Sequence, residues 1–317
     1  MKFRTELTPP PASAQIKPGD KILLAGSCFA ENIASKLTSL RWQILLNPHG
    51  ILFNPASVDH CIQDIGEKKS YTPADLFEAD GTFHSFRHHG MYSGTDASNV
   101  CSNINHHISL ASNYIKEAQW CILSYGTAWI YRLLSSGEIV SNCHKVPQKK
   151  FTKELLSVLQ LTEIIQSTII ALQNMNPDIR IIITVSPVRY LRDGFVENAR
   201  SKAHLVTAVH EVLERQRGVY YFPAYELFLD DLRDYRFTKE DLVHPNNQAI
   251  DYIWDKFEKS YFTPEALTFN TDMQTLANMK NHRPLYPDTR HYQQFQNKIS
   301  ELEMHLTKKY PFLIGKN

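Results

Sequence analysis

Five short apolar runs, separated by longer segments with the period of an amphipathic helix, restrict the fold of this 317-residue chain more than any other feature. The runs lie at 21–25, 42–46, 120–125, 179–185 and 219–224. Continuous apolar runs of this length are typical of strands buried on both faces of a sheet. The intervening segments predict helices at about 29–40, 102–117, 152–174, 196–216 and 246–258. This alternation predicts an α/β fold, a three-layer α/β/α sandwich around a parallel sheet of about five strands.

The two ends of the chain differ from the alternating middle. Residues 1–17 contain three consecutive prolines and are expected to form an extended N-terminal lead-in. Residues 18–260 are expected to form one domain that carries the functional site. The alternation is lost beyond it, and 261–317 is expected to be a C-terminal extension, a loop and a terminal helix, packed on that domain. The segment 67–101 is rich in Gly, Ser, His and aromatic residues and predicts an insertion over the carboxyl ends of the strands.

Charge and cysteine content limit the partners and the compartment. The chain has 34 Lys+Arg against 33 Asp+Glu, a formal net charge of +1. It therefore lacks the cationic excess that draws proteins to nucleic acid or anionic lipid, and neither is an expected partner. The five cysteines form no Cys-x-x-Cys pair, and there is no signal-peptide core and no apolar run of about 18 residues. These features favour a cytoplasmic location.

Histidine pairs at 88–89 and 106–107 suggest a metal site at first sight. Side chains of adjacent residues diverge on a helix or a strand, so neither pair is a natural chelate. We therefore expect no metal and no organic cofactor. The insertion histidines, His84, His88 and His89, either contact substrate from a lid or are solvated, and solvation is the slightly favoured interpretation.

Ser27 follows the first predicted strand directly, at the turn into a helix with apolar residues at Phe29, Ile33 and Leu37. Its hydroxyl is expected at the carboxyl edge of the sheet. Its own backbone N–H would join the unsatisfied donors of the helix start, which favour an anion. Ser27 is therefore a candidate nucleophile. The alternative is a helix-capping serine, since serine is among the preferred capping residues.

Asp241 and His244 stand three residues apart in the loop before the helix predicted at 246–258. In such a turn Asp241 can accept the Nδ1 proton of His244 and fix the tautomer whose Nε2 removes a proton from a hydroxyl. The alternative is that Asp241 belongs to an acidic pair with Glu240 and that His244 merely starts the helix. Residues after the first and last strands of a parallel sheet meet at one edge. Together with Ser27, these two residues therefore predict a Ser-His-Asp triad.

Several strings resemble the GSCFA family, which lies within or beside the SGNH/GDSL-type hydrolase superfamily. The namesake Gly-Ser-Cys-Phe-Ala stands at 26–30, and further similar strings stand at 47–55, 142–145, 186–189, 201–202, 234–237 and 241–245. The resemblance covers about 20–260. It implies an SGNH hydrolase-like, flavodoxin-like fold, with Ser27 as nucleophile, His244 as general base and Asp241 as its partner. It also implies that the backbone N–H groups of Ser27 and Gly50 bind the oxyanion, although Gly50 fits a turn with positive φ equally well.

The sequence departs from that superfamily after the third predicted strand. Gly-x-Asn-Asp is usual there, with the Asn amide donating to the oxyanion, but this chain has Gly-Thr-Ala-Trp at 126–129. Losing one oxyanion donor commonly costs about 10² to 10³ in rate. Candidates for the oxyanion or substrate contacts are Gly126, Thr127, Asn47 and Asn142, and Asn142 fits a turn role equally well.

Other polar residues leave alternatives open. Cys28, beside Ser27, and the dipeptide Cys143-His144 suggest a cysteine nucleophile, but adjacency in sequence does not give hydrogen-bond geometry. We retain His144 as a substrate-binding candidate. Arg189, with Arg192 and Lys202, fits a clamp for an anionic substrate or, equally, ion pairs with Asp193 and Glu197.

Taken together, the sequence predicts a serine-dependent hydrolase of carboxylic esters, an esterase or saccharide O-deacetylase, whose substrate is a small-molecule or saccharide ester. One alternative is an O-acyltransferase in which an alcohol replaces water at the same triad. The other is a non-catalytic SGNH-like module that binds an acylated or anionic ligand. The sequence makes no prediction of the oligomeric state.

Overall fold

The computed structural model describes residues 4–283, 285–286 and 289–314 of the chain. Within these ranges the strands are Lys21–Gly26 (β1), Gln43–Leu46 (β2), Phe77–Ala79 (β3), Thr82–His84 (β4), Trp120–Tyr125 (β5), Trp129–Leu133 (β6), Ile139–Val140 (β7), Phe151–Leu155 (β8), Arg180–Val185 (β9) and Val219–Phe222 (β10). The α-helices are Cys28–Ser39 (α1), Pro55–Gly66 (α2), Ala97–Ile115 (α3), Val158–Met175 (α4), Phe195–Leu213 (α5), Ala224–Glu226 (α6), Asn247–Tyr261 (α7), Pro264–Asn281 (α8) and Arg290–Lys309 (α9).

The central sheet contains the five strands that the apolar runs predict. Its order is β10-β9-β5-β1-β2, and every neighbouring pair is parallel. The chain order changes direction at β1, because β2 lies on one side of it and the later strands lie on the other. At such a switch point the carboxyl ends of adjacent strands open a crevice where α/β folds bind ligands. The turns after β1 and β5 border this crevice.

Alternate side chains of the sheet enter two apolar cores, one on each face. On one face, Leu24 and Ile122 pack in a core shared with α1, α7, α8 and α9. On the other face, Leu23 and Leu123 pack in a core shared with α2, α3, α4 and α5. Both faces of the strands are therefore covered, which is why their sequences are continuously apolar. The predicted three-layer α/β/α sandwich is confirmed.

The C-terminal extension contains a helix, α8, that the sequence analysis does not predict. Its residues Phe269 and Met273 lie in the same core as Ile16 and Trp42. The indole Nε1 of Trp42 also donates to the Oδ1 of Asn270 at 2.8 Å. The described part of the extension therefore packs on the helical layer that covers one face of the sheet.

A three-stranded antiparallel sheet, in the order β7-β6-β8, corrects the helix predicted at 152–174. The first residues of that segment belong to β8, which pairs with β6, and α4 begins only at Val158. Ser157 fixes this start, because its hydroxyl accepts from the backbone N–H of Gln160 while the Gln160 side chain accepts from the Ser157 N–H. Helix α2 and the β3–β4 hairpin are also absent from the prediction.

Candidate active site

Ser27 lies in the turn between β1 and α1, and Gly26 makes that turn possible. Gly26 has φ +130°, and a Cβ at this position would lie 2.1 Å from the carbonyl oxygen of Ser124, so only glycine fits. The close approach lets the Ser27 backbone N–H donate to the same carbonyl at 2.9 Å. That N–H is therefore already used, and the structure does not support it as an oxyanion donor.

The hydroxyl of Ser27 is almost fully buried and borders a cavity of about 800 Å³. Its Oγ lies 2.8 Å from Ser124 Oγ and accepts from the Phe29 N–H at 3.3 Å, so Ser27 caps α1 as well as lining the cavity. The sequence analysis missed Ser124. The parallel pairing of β1 and β5, which sets Gly26 opposite Ser124, is the signal that identifies it.

His244 lines the same cavity from the loop before α7. Its Nδ1 lies 2.6 Å from Asp241 Oδ2, and Asp241 Oδ1 accepts from the backbone N–H groups of Val243 and His244 at 2.9 Å each. These backbone donors, followed by the imidazole, lower the pKa of Asp241 to about 2. An ionised carboxylate on Nδ1 favours the tautomer in which Nε2 is free to accept a proton.

Ser27 and His244 share the cavity, but no hydrogen bond joins them in the part of the chain that the structure describes. Ser27 Oγ is instead turned toward Ser124 and the start of α1. Hydrogen bonds between a catalytic nucleophile and its base often tighten only when substrate is bound. Rotation about the Cα–Cβ bond of Ser27 is the movement that would redirect its hydroxyl.

Gly50 takes the turn role that the sequence left open. Its N–H donates to the Asn47 carbonyl at 2.7 Å, and its φ is +78°. A Cβ there would lie 2.3 Å from His89 Cβ, so the absence of a side chain at Gly50 also lets the insertion that carries His89 pack against this loop. Because its N–H is already used and Gly50 is not part of the cavity wall, the structure does not support Gly50 as an oxyanion donor.

The two asparagine candidates occupy different places. Asn47 lies outside the cavity wall, where its Oδ1 accepts from the Gly26 N–H at 2.9 Å and its Nδ2 is buried without a partner among the described residues. Asn142 and His144 both line the cavity. Asn142 Oδ1 accepts from the His144 N–H at 2.9 Å, which is a turn role, and His144 Nε2 contacts the Ser85 carbonyl at 2.7 Å.

Gly126 and Thr127 line the cavity, but their donors are engaged elsewhere. Both backbone N–H groups donate to the Phe53 carbonyl, at 2.7 and 2.9 Å. The Thr127 hydroxyl lies 3.0 Å from Ser201 Oγ and accepts from the Trp129 N–H at 3.1 Å. These contacts join the walls of the cavity to one another, so the structure does not support either residue as a replacement for the missing amide.

Two donors on the cavity wall were not singled out from the sequence. Asn54 is buried and caps α2, where its Oδ1 accepts from the Ser57 N–H at 2.8 Å. With Oδ1 held there, the planar amide turns Nδ2 to the opposite side, and no described residue accepts from it. Likewise, no other described residue accepts a hydrogen bond from the backbone N–H of Cys28, the first residue of α1. An N-cap asparagine soon after the second strand is the signal that points to Asn54.

Two cysteine thiols and one lysine near the cavity are not suited to act as a nucleophile or as an anion-binding group. Burial raises the pKa of the Cys28 and Cys143 thiols, so neither is poised as a thiolate. Lys202 is fully buried and donates to the Ser186 carbonyl at 2.6 Å, and burial lowers its pKa to about 7. Lys202 is not among the residues that line the cavity, so the structure does not support the interpretation that it takes part in an anion clamp.

Arg189 and Arg192 do line the cavity. The ion pairs expected as their alternative are not formed, because Asp193 and Glu197 pair with other cations. Arg189 instead donates through Nη2 to the Leu242 carbonyl at 3.0 Å, which ties it to the loop of His244. No carboxylate among the described residues forms an ion pair with either guanidinium group, although Arg192 also contacts the Tyr190 hydroxyl.

The insertion histidines differ from one another. His88 is 1% exposed and stacks on the buried ring of His49, so the solvated interpretation is wrong for this residue. His89 lines the cavity, and His84 Nδ1 lies 2.7 Å from Ser93 Oγ. Within the described ranges, no group of three or more His, Cys, Asp or Glu side chains is arranged to hold a metal ion.

The model of the GSCFA family matches residues 21–257, which carry the β1 turn, the cavity and the His244 loop. The chain belongs to the GSCFA family. No curated protein matches this GSCFA protein. None of the helices that the structure describes is both long and apolar enough to cross a membrane.

Three carbohydrate esterases are among the solved structures to which this chain is similar. A family 3 enzyme from Talaromyces cellulolyticus has 10% identity and a TM-score of 0.35, covering 80% of this chain and 99% of its own. A family 3 enzyme from Clostridium thermocellum has 13% identity and a TM-score of 0.34, with coverages of 83% and 100%. A family 2 enzyme with a carbohydrate binding domain from Corynascus thermopiles has 12% identity and a TM-score of 0.40, with coverages of 79% and 67%.

Proposed function

We propose that this GSCFA protein is a serine-dependent hydrolase of carboxylic esters, with Ser27 as nucleophile, His244 as general base and Asp241 as the group that orients the base. One observation carries the proposal. The 2.6 Å contact between Asp241 and His244 Nδ1 lies beside a cavity that Ser27 also lines. A carboxylate-held imidazole and a serine at one cavity are the parts that acyl transfer through serine requires.

In the proposed reaction, Ser27 Oγ turns from Ser124 and attacks the acyl carbonyl while His244 Nε2 takes its proton. His244 then returns that proton to the leaving alcohol. Water repeats both steps on the acyl-enzyme and restores the serine. Asp241, whose pKa is lowered, remains ionised throughout and stabilises the imidazolium that forms.

The negative charge on the acyl oxygen needs donors that are not already used. We assign this role to the backbone N–H of Cys28 and to Asn54 Nδ2. Both residues line the cavity, and neither donor is taken by a described residue, in contrast to the N–H groups of Ser27, Gly126 and Thr127. The N–H of the residue after the nucleophile has this role in other serine hydrolases with a strand-turn-helix nucleophile. Asn54 would then replace the amide missing after β5.

The cavity also bears on the size of the substrate. Its volume of about 800 Å³ lies in the range of small-molecule sites, and Trp129, Tyr131 and Phe151 contribute an aromatic wall. An ester of a small alcohol or of a saccharide fits this space. Deacetylation of a saccharide is therefore one form of the proposed reaction, and transfer of the acyl group to an alcohol would use the same residues.

A non-catalytic ligand-binding role is the second candidate, and one observation favours it. Ser27 Oγ is bonded to Ser124 and caps α1, and no hydrogen bond within the described residues joins it to His244. In that case the cavity would bind an acylated or anionic molecule without cleaving it.

Labelling with a fluorophosphonate, together with hydrolysis of p-nitrophenyl acetate, tests the proposal. Wild type should label at Ser27, Ser27→Ala should not, and His244→Ala should label much more slowly. Ser39→Ala, at the exposed far end of α1, and His106→Ala, on the exposed face of α3, are matched controls that should behave as wild type. A folded wild type that neither labels nor cleaves short esters would reject the hydrolase and favour the binding module. Products formed with added alcohols separate hydrolysis from acyl transfer.

A further inference from the structure

We infer that the ester taken by this cavity carries a negatively charged group, a carboxylate or a phosphate, held by Arg189, Arg192 and Lys145. That the ligand is an ester rests on the proposed hydrolase function. The preference for an anion is measurable without catalysis.

The charge of the cavity wall differs from that of the chain. Its lining contains Lys145, Arg189 and Arg192, and no Asp or Glu stands among the described residues that line it. The whole chain is nearly balanced, with 34 Lys+Arg against 33 Asp+Glu. Three like charges around a partly open, largely apolar cleft focus their field within it, which favours an anionic ligand.

The acids nearest in sequence form their ion pairs with other cations. Asp193 forms an ion pair with Lys153, and Glu197 pairs with Arg200 at 2.8 Å. Throughout the described ranges, no carboxylate forms an ion pair with Arg189, Arg192 or Lys145. The charges of these three residues therefore remain available to a ligand.

Arg189 is also held in place before any ligand binds. Its Nη2 donates to the Leu242 carbonyl at 3.0 Å, and its guanidinium carbon lies 5.4 Å from the ring centre of Tyr235 and 5.8 Å from that of Phe195. Its Nε is buried and has no partner among the described residues. A buried donor without an acceptor is costly, and the planar guanidinium matches a carboxylate or phosphate. Leu242 precedes His244 by two residues, so the anion would bind beside the base.

Paired esters that differ in one charge test the inference. The probes are 2-acetoxybenzoate and its neutral methyl ester for a charge on the alcohol, and p-nitrophenyl hemisuccinate and p-nitrophenyl butyrate for a charge on the acyl group. The assays use a low-salt buffer without sulfonates, so that buffer anions do not compete for the site. Inorganic phosphate, added as a competitor, extends the comparison to phosphate. Wild type should favour the anionic member of at least one pair by about ten-fold or more in kcat/KM, and high salt should weaken the preference.

The variants Arg189→Gln and Arg192→Gln should each lower that preference by about ten-fold, a typical effect of losing one charge-assisted contact. Arg217→Gln, the same change at an exposed residue outside the cavity, should keep the preference of wild type. Arg192 is exposed, so its variant tests the inference even if Arg189→Gln fails to fold.

Binding of N-acetylanthranilate and of its methyl ester to Ser27→Ala, measured by calorimetry, separates the two proposals. Tighter binding of the anion that depends on Arg192, in a protein whose wild type cleaves no ester, would overturn the hydrolase and support the anion site. Cleavage of neutral and anionic esters at equal rates, with equal binding of both analogues, would overturn the anion site and leave the hydrolase standing.

Discussion

Acidic pH is expected to destabilise this protein through a buried histidine pair behind the Gly50 turn. The imidazole of His49 is fully buried and stacks on the His88 ring, with the ring centres 4.0 Å apart. Neither ring nitrogen of His49 has a hydrogen-bond partner in the described part of the chain. Burial, reinforced by the nearby charges of Arg87, His60 and Lys69, lowers the pKa of His49 to about 3.

The size of the effect follows from this lowered pKa. The unfolded chain takes up a proton at His49 near the ordinary pKa of 6.5 and the folded chain only near 3, so stability is lost as pH falls from 6.5 toward 3. One pKa unit corresponds to about 1.4 kcal/mol, and pH 5 lies about 1.5 units below the ordinary value, so His49 alone should cost about 2 kcal/mol there. Burial lowers the pKa of His88 and acts in the same direction, whereas it raises the pKa of Asp64, which acts in the opposite direction.

The substitution His49→Phe isolates this contribution, because phenylalanine keeps a ring against His88 but has no nitrogen to protonate. Urea unfolding at about pH 7.5 and about pH 5 gives the free energy of unfolding at each pH. Between them the variant should lose about 2 kcal/mol less than wild type, whatever its offset near neutrality. His106→Phe, an exposed histidine on α3, should follow wild type. Equal losses in wild type and His49→Phe would refute the reasoning.

Three further predictions concern the site. Asn54→Asp keeps the oxygen that caps α2 but removes the Nδ2 donor, so kcat should fall by about 10² to 10³ with little change in melting temperature; an unchanged kcat would exclude Asn54 from the oxyanion site. Asp241→Asn should lower kcat by on the order of 10³ to 10⁴, because the amide favours the wrong tautomer of its histidine, and a near-normal rate would contradict the triad. Gly26→Ala would place a methyl group 2.1 Å from the Ser124 carbonyl oxygen and should destabilise the fold by about 3 kcal/mol or more. The control Gly137→Ala, where φ is +72° but nothing lies within 4 Å, should cost about 1 kcal/mol. Thermal melts measure both variants, and equal melting temperatures would contradict the steric argument.

The sequence predicts the sheet well because buried parallel strands have an unmistakable pattern. Strands β1 and β9 are apolar on both faces, so their continuous apolar runs follow from the two cores that they enter. Helix α8 lacks such a signal. It contacts both α1 and α9, so its apolar residues are not confined to the single stripe that a surface helix shows.

Ser27 is predictable because it lies directly between a strand and a helix, and Asp241 and His244 are predictable because they stand just before a helix. Their oxyanion donors are not. Whether the Gly126 N–H is free depends on the Phe53 carbonyl, and whether the Ser27 N–H is free depends on the Ser124 carbonyl. Both partners are distant in sequence and are set by strand register and loop packing. A pattern of residue types identifies which groups can donate, but only the fold decides which donors are already used.

The electrostatics of the cavity depend on the segment whose secondary structure was predicted wrongly. In β8 the residues of 151–155 alternate between the two sides of a short sheet, and Lys153 pairs with Asp193 while its ammonium lies 4.9 Å from the ring centre of Trp129. A helix over the same residues would remove that pairing with β6, and Asp193 would be left as the nearest acid for Arg192. Because Lys153 of β8 pairs with Asp193, that acid forms no ion pair with Arg192. The local structure of a segment in which the sequence analysis placed no site residue therefore affects the charge that the proposed anion site presents.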